Sequence, residues 1–521
     1  MTYSHSLIRF SAMPIAPRCF SAFTLFVLLA IPLGAAPASR PNIVVILADD
    51  LGYGDVQSYN PTRGKIPTPH LDRLAREGMR FTDGHASSAA CSPSRYTLLT
   101  GRYHWRTRLQ SGIVDMWERP LIEPKRLTIA GLAQQSGYRT AAFGKWHLGW
   151  DWPIAADQQK FMRGLGGRQG KSKDKVVTTP SPEHLAAWSA IFAQPIAGGP
   201  ITRGFDHYFG TDVPNWPPYS FINDNRTVGI PTALLKARHL DGYIASFQGP
   251  ALPDWRFEDI LGTLADRACS YIRERAERRE PFLVYLPLTA PHTPISPSEK
   301  WQGRSGLNNY ADLVMETDDA VGRVLAALEQ SGAAANTFVF FSSDNGYETS
   351  IGIKPLEAMG HFPSGPLRGY KRDVWEGGHR EPYIVRYPGV VKPGSVSDAL
   401  VHHADLMATV ADLLGVKLPV DAGEDSISLL PVLRGTATSI RQHAISCGAN
   451  GTQSIRDGNW KLVCLPKPQL YHLGDDLAEK NDLAAQQPER VKAMLELRER
   501  LIEEGRSTSG PRQPNDVPVK R

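Results

Sequence analysis

The chain predicts an α/β fold in which a mixed, mainly parallel sheet is covered by helices on both faces. Three observations lead there. Short unbroken apolar runs rich in β-branched residues recur between Asn42 and Ser342, as strands buried on both faces require. Amphipathic helical stretches alternate with those runs, as crossovers between parallel strands do. Residues able to carry chemistry fall just after the runs, at the strand ends where open α/β sheets place their sites.

In chain order, residues 1–38 read as an export signal. Arg9 and Arg18 precede an apolar run from Phe20 to Leu33, and Gly34-Ala35-Ala36-Pro37-Ala38 offers small residues for cleavage. The run is too short for a comfortable membrane span, and Cys19 lacks the context for lipid attachment. A secreted or periplasmic protein, with no stable membrane span in its mature form, is therefore expected. Strands are expected at Asn42–Ala48, Tyr138–Phe143, Phe282–Leu286 and Thr337–Ser342. Helices are expected at Thr68–Arg76, Leu127–Gln135, Phe257–Arg278 and Asn309–Gln330. Residues 150–250 are rich in Gly and Pro, include Lys171, Lys173 and Lys175, and read as loops inserted over the site.

At 521 residues the chain exceeds one comfortable core, which predicts a larger domain at 39–395 and a smaller α+β domain at 396–521. Within the smaller domain, Ser454–Val463 reads as a hairpin about Asp457-Gly458, and residues 488–505 as an amphipathic helix. The tail after Ser507 is expected to be disordered. A net charge of +5 spread along the chain helps attract anions but is weak evidence for a nucleic-acid partner, and without basic-aromatic interleaving none is expected. Loss of the signal leaves Cys91, Cys269, Cys447 and Cys464. Cys269 falls on an apolar helix face and is expected to be inert. Cys447 and Cys464 are near enough in sequence for a disulfide to be one of two outcomes. The lack of CxxC or paired Cys/His spacing disfavours zinc.

The most informative stretch is Cys91-Ser92-Pro93-Ser94-Arg95, followed by Leu98-Leu99-Thr100-Gly101. Pro93 suits a first helical turn, which puts Cys91 at the positive end of a helix and Arg95 one turn on. Such a cysteine fits three readings at this point: a buried small hydrophobe, a thiolate nucleophile, or a precursor of something else. Asp49-Asp50 end the first strand, and two adjacent carboxylates call for a cation. Asp344-Asn345-Gly346 add a carboxylate and an amide oxygen, an oxygen-only set suited to Ca2+ or Mg2+. Gly144-Lys145-Trp146-His147 bring a cation and an imidazole together. Ala290-Pro291-His292-Thr293-Pro294 hold a second histidine, and Gly369-Tyr370-Lys371 and Glu376–Pro382 add a lysine and a Gly-Gly turn.

These clusters, in this order, resemble the type I sulfatases of the alkaline-phosphatase-like superfamily, from about Asn42 to Tyr471-His472-Leu473. Both family signatures are matched, at Cys91–Gly101 and at Gly137–His147, with Phe143 standing where a smaller residue is usual. The resemblance implies that Cys91 is oxidised to formylglycine by a maturation enzyme. It implies that Asp49, Asp50, Asp344, Asn345 and residue 91 hold one Ca2+. It also implies that Arg95, Lys145, His147, His292 and Lys371 surround the sulfate. A hydrated formylglycine attacks sulfur in that family, His292 with Lys371 would protonate the leaving alcohol, and His147 would deprotonate the second hydroxyl.

Pro363–Arg372 is similar to exported sulfatases related to N-acetylgalactosamine-6-sulfatase and arylsulfatase A, implying exo-removal of sulfate from a galacto-configured sugar. Trp216, Tyr219 and Trp255 would stack on sugar rings or simply pack, and His361 and His379 would touch sugar hydroxyls. Two rivals stand beside this reading. One is a phosphonate or phosphate ester hydrolase on the same fold; the other is a sulfated-glycan binding protein whose cysteine is never matured.

Overall fold

Strand Asn42–Ala48 lies inside a ten-stranded sheet of the computed structural model, which describes residues 40–162, 177–240 and 243–520. The strand order is Ser395–Ser397, Met79–Phe81, Tyr383–Arg386, Thr337–Ser343, Asn42–Ala48, Phe282–Pro287, Arg139–Lys145, His207–Thr211, Ile222–Asn223 and Arg226–Thr227. From Thr337–Ser343 to His207–Thr211 every pairing is parallel; the neighbours beyond on either side are antiparallel, and Ser395–Ser397 again pairs in parallel. The parallel strands therefore send their carboxyl ends to one edge, where the chemical motifs gather.

The first strand shows why its sequence does not alternate. Val44, Ile46 and Ala48 face a core packed with helices Pro69–Glu77, Ile260–Glu277 and Asn309–Gln330. Ile43, Val45 and Leu47 face a second core with helices Cys91–Thr100, Ile129–Gln135 and Asp405–Leu414. Both faces are dry, so both must be apolar, and each such side chain contributes about 1.5–3 kcal/mol. Cys269 is buried in the first core, as its helix face predicts.

Residues 453–463 form the expected hairpin, with Gly458 at φ 56, inside a four-stranded antiparallel sheet that starts at His443. The boundary expected at 395/396 falls earlier than this sheet. Ser395–Ser397 pairs with Met79–Phe81 in the large sheet, and Asp405–Leu414 packs in its second core.

One expectation is corrected and one open alternative is decided. The tail after Ser507 is not loose: Arg102 donates to Pro514 O (2.9 Å) and Asp516 Oδ2 (3.1 Å), and Arg106 to Asn515 Oδ1 (3.1 Å). Both guanidiniums are buried behind the Cys91 helix and need acceptors there, which polar composition in the tail does not reveal. Cys447 and Cys464 are free thiols. Cys447 pairs with Gln453 on one side, while the Cys464 N–H donates to Gln453 O from the other. Two strand spacings of about 4.8 Å then separate their backbones, beyond the roughly 7 Å a disulfide tolerates. The export signal at 1–38 and Lys171, Lys173 and Lys175 lie outside the described residues.

Candidate active site

Helix Cys91–Thr100 begins at the cysteine itself and ends at Gly101, whose φ of 65 returns its N–H to Thr97 O at 2.9 Å. A Cβ there would sit 2.5 Å from Met407 Cβ, so the glycine that closes the motif is required by packing as well as by φ. The helix aims Cys91 at the carboxyl end of the first strand, with Sγ 3.7 Å from Asp49 Oδ1. One turn on, Arg95 donates Nε and Nη2 to Asp344 Oδ2 (2.9 and 2.7 Å) and lies 3.2 Å from Asp49 Oδ1.

Every residue expected to hold the metal or surround the sulfate meets here. Lys145 Nζ donates to both Asp49 oxygens (2.9 and 2.8 Å), and Lys371 Nζ to Asp50 Oδ2 (2.6 Å). Asn345 donates its amide to Asp50 Oδ1 (2.8 Å), and the Asp50 N–H donates to Asp344 Oδ1 (3.2 Å). His292 Nε2 stands 3.6 Å from Asp50 Oδ2, its Nδ1–H held by Thr293 O at 2.6 Å. Asp50 and His147 sit at φ 67 and 52, strained values for side-chain-bearing residues that cluster where geometry is imposed.

His147 is held with one tautomer. Its Nε2 lies 3.1 Å from Val114 O, which only accepts, so Nε2 carries the proton. Nδ1 is then a lone pair, buried and without a partner among the described residues. Burial, and next the Lys145 ammonium, hold this imidazole well below its usual pKa. Burial opposes the charge of Asp49, but Lys145, His292 and Arg95 outweigh it and hold that carboxyl well below the carboxylate range. Burial likewise opposes the charge of Lys371, yet Asp50 and Glu348 hold its pKa above the usual lysine value. Burial pushes the Cys91 thiol up to about 12, which makes the unmodified side chain a neutral thiol at pH 7.

The donor set fits a hard divalent cation. Asp49, Asp50 and Cys91 bring ligand atoms within 4.8 Å of one another, together with His292. Asn345 Oδ1 is a buried amide oxygen with no hydrogen-bond partner among the described residues, which a cation would satisfy. Three carboxylates (Asp49, Asp50, Asp344) are already matched by three cations (Arg95, Lys145, Lys371). A bound divalent ion would leave the site net positive, as an anionic ester requires.

Over this cluster opens a cavity of about 420 Å³ lined by Cys91, His147, Asn215, Trp216, His292 and Lys371. Trp216 stands against His147, with ring centroids 5.1 Å apart. Tyr219 is buried, and Trp255 packs on Phe221, so both serve packing. His361 is fully buried between Asp55 (2.7 Å) and the Lys65 N–H (3.0 Å) and touches no substrate. His379 lies in a separate buried group, its Nδ1 3.1 Å from His85 Nδ1. There Lys461 joins Glu376 and Glu479 (2.9 and 2.8 Å), and Arg380 and Arg456 join Asp83 (3.1 and 3.0 Å). Three cations balance three carboxylates in this group.

Sequence reading missed Glu348, which pairs with Lys371 (3.3 Å) and Arg372 (2.6 Å) at the cavity mouth. It also missed Asp212, whose Oδ1 accepts from the His147 N–H and Trp150 Nε1 (both 3.1 Å). Glu348 follows Asp344-Asn345-Gly346 closely, which is a usable signal; Asp212 carries none.

The sulfatase family model matches residues 41–416, and the C-terminal model of N-sulphoglucosamine sulphohydrolase matches 369–506. An N-acetylgalactosamine-6-O-sulfatase of Bacteroides thetaiotaomicron is 32% identical over 500 residues, covering 89% of this chain and 93% of its own. Bovine (Bos taurus) arylsulfatase A is 32% identical over 445 residues, covering 83% and 76%. A solved structure from work on metabolism of multiple glycosaminoglycans by Bacteroides thetaiotaomicron superposes with a TM-score of 0.75 at 30% identity, over 89% of this chain and 99% of that one. The phosphonate monoester hydrolase of Agrobacterium radiobacter, at TM-score 0.56, 20% identity and 89% and 95% coverage, shows the fold alone. With both signatures folded into one buried cluster, the chain belongs to the sulfatase family and is an enzyme that hydrolyses sulfate esters.

Proposed function

We propose that the protein removes sulfate from sulfated carbohydrates, with 6-O-sulfated N-acetylgalactosamine or galactose as the preferred unit. The observation that carries the reading is the convergence of Cys91, three buried cations and the unpartnered Asn345 Oδ1 beneath one cavity. The N-acetylgalactosamine-6-O-sulfatase relative, matched over nearly its whole length, supports the choice of sugar.

Asp49, Asp50, Asp344, Asn345 and residue 91 would hold one Ca2+, or Mg2+ in its place. When bound, the ion supplies positive charge against the sulfate oxygens. Residue 91, oxidised to formylglycine by a maturation enzyme and then hydrated, supplies the oxygen that attacks sulfur. Arg95, Lys145 and Lys371 are placed to neutralise the ester and hold it in line. His292 presents Nε2 to the cavity; because Thr293 O holds a proton on Nδ1, it would give a proton to the leaving alcohol from Nε2 only as the imidazolium, with Lys371 beside it. His147, with its free Nδ1 lone pair, is the base that takes the proton when sulfate is expelled.

No helix among the described residues is long and apolar enough to cross a membrane. With the expected signal at 1–38, this supports export to the periplasm or beyond. A panel of 2-, 3-, 4- and 6-sulfated galactose, N-acetylgalactosamine and N-acetylglucosamine tests the substrate, using protein shown by mass to carry formylglycine. Sulfate release confined to the 6-sulfated galacto sugars is expected. Release from gluco sugars alone, or faster cleavage of an aryl phosphate than of an aryl sulfate, would sink the assignment. Exhaustive chelation should remove activity, with Ca2+ restoring more of it than Zn2+ does because the donors are oxygens.

A further inference from the structure

A second cavity, larger than the catalytic one at about 710 Å³, lies on the other side of a shared wall. Met116 and Trp117 line it, and they pack in one cluster with Val213 and Trp216, which line the catalytic cavity. Its volume falls within the range of about 300–1,000 Å³ typical of small-molecule sites.

Two features of the lining define its chemistry. Trp117 and Trp152 are only half-buried and stand edge to face, with centroids 5.0 Å apart, so indole surface borders the cavity. Trp117 is held at φ 64, a left-handed conformation that costs a bulky residue energy and is kept where position matters. Around the indoles stand the carboxylates of Asp115, Glu118 and Asp151, with Arg119 beside them and Arg108 paired to Glu118, so carboxylates outnumber these arginines by one. Glu118 is already paired with Arg108, while Asp151 is exposed. Carboxylates accept hydrogen bonds from hydroxyl groups and repel sulfate, and indole faces take the C–H surface of a sugar ring. A purely apolar ligand would leave the carboxylates unsolvated, and a sulfated one would meet like charge.

We propose that this cavity binds an unsulfated, uncharged sugar unit of the chain whose sulfated unit occupies the catalytic cavity. The assignment rests on the carbohydrate reading above and extends it: the enzyme would read a neutral neighbour as well as the sulfated sugar.

The test uses the full matured protein, a neutral galactotetraose as probe in calorimetry, and the variants Asp151→Ala and Trp152→Ala. Wild type is expected to bind the tetrasaccharide, and each variant to bind it about tenfold more weakly. KM for a mono-sulfated tetrasaccharide should rise by a similar factor at constant kcat, with kcat/KM for a small aryl sulfate unchanged. No binding of the neutral tetrasaccharide to wild type would overturn the proposal. So would undiminished binding by Asp151→Ala, whose exposed side chain can be removed without loss of the fold even if Trp152→Ala is unstable. Aryl sulfate turnover is read separately, so failure of the sulfatase chemistry and failure of this subsite give different results.

Discussion

Replacing Cys91 by alanine should lower sulfate ester turnover on the order of 10⁴-fold or more while the protein stays folded. The side chain is 2% exposed, and its one polar contact is the long 3.7 Å approach to Asp49. Loss of one buried sulfur costs about 1 kcal/mol, a small share of stability. Arg95, Lys145 and Lys371 would still hold the ester, so substrate affinity should fall far less than kcat. The unmodified thiol is no substitute, because it lacks the second hydroxyl whose deprotonation would expel sulfate. Activity should therefore follow the aldehyde content of the residue-91 peptide, measured by mass spectrometry on preparations matured to different extents. Full activity from an all-thiol preparation would overturn the mechanism, and residual turnover above about a hundredth in Cys91→Ala would move the nucleophile elsewhere.

What the sequence made legible followed from locality. Asp49-Asp50, Lys145, His292 and Asp344-Asn345 each sit within a few residues of a buried parallel strand, so naming the strands nearly named the site. Apolar runs without alternation marked those strands because both sheet faces are covered. Contacts between distant segments were not legible. Gln453 separates Cys447 from Cys464 through strand order, which spacing along the chain does not encode. The tail is ordered by Arg102 and Arg106, about 400 residues away in sequence. His361 and His379 looked like ligand contacts because histidines near a lysine motif suit one. In the fold Asp55 claims the first and the His85 group the second. A polar residue's role depends on which acceptor reaches it first, and that is decided by tertiary packing.

That second group yields the largest expected change in stability. Lys461 is fully buried between Glu376 and Glu479, themselves fully buried, at 2.9 and 2.8 Å. Burial opposes the charge of Glu376, but Lys461, His85 and Arg456 outweigh it and hold the carboxyl well below its usual range. Lys461→Met keeps the length of the side chain and deletes its charge, leaving two carboxylates in a dry site. Breaking a buried pair from one side costs about 3–5 kcal/mol, so the unfolding midpoint in urea should drop accordingly. Glu376 keeps Arg380 at 3.1 Å, so neutralising the other carboxylate with Glu479→Gln should recover part of the loss, a coupling of about 1–3 kcal/mol. The effect should also reach the active site. Glu376 opens the helix Glu376–His379, and Gly378 O accepts the Gly346 N–H at 3.1 Å, next to Asn345. A Cβ at Gly346 would lie 2.1 Å from Gly377 O, so this contact has no slack. Lys461→Met should therefore need more Ca2+ for half-maximal activity, with kcat at saturating Ca2+ little changed. If the variant is as stable as wild type, water reaches the carboxylates and the C-terminal sheet does not clamp the metal loop. If stability falls while Ca2+ dependence is untouched, the clamp holds the fold together without setting the position of Asn345.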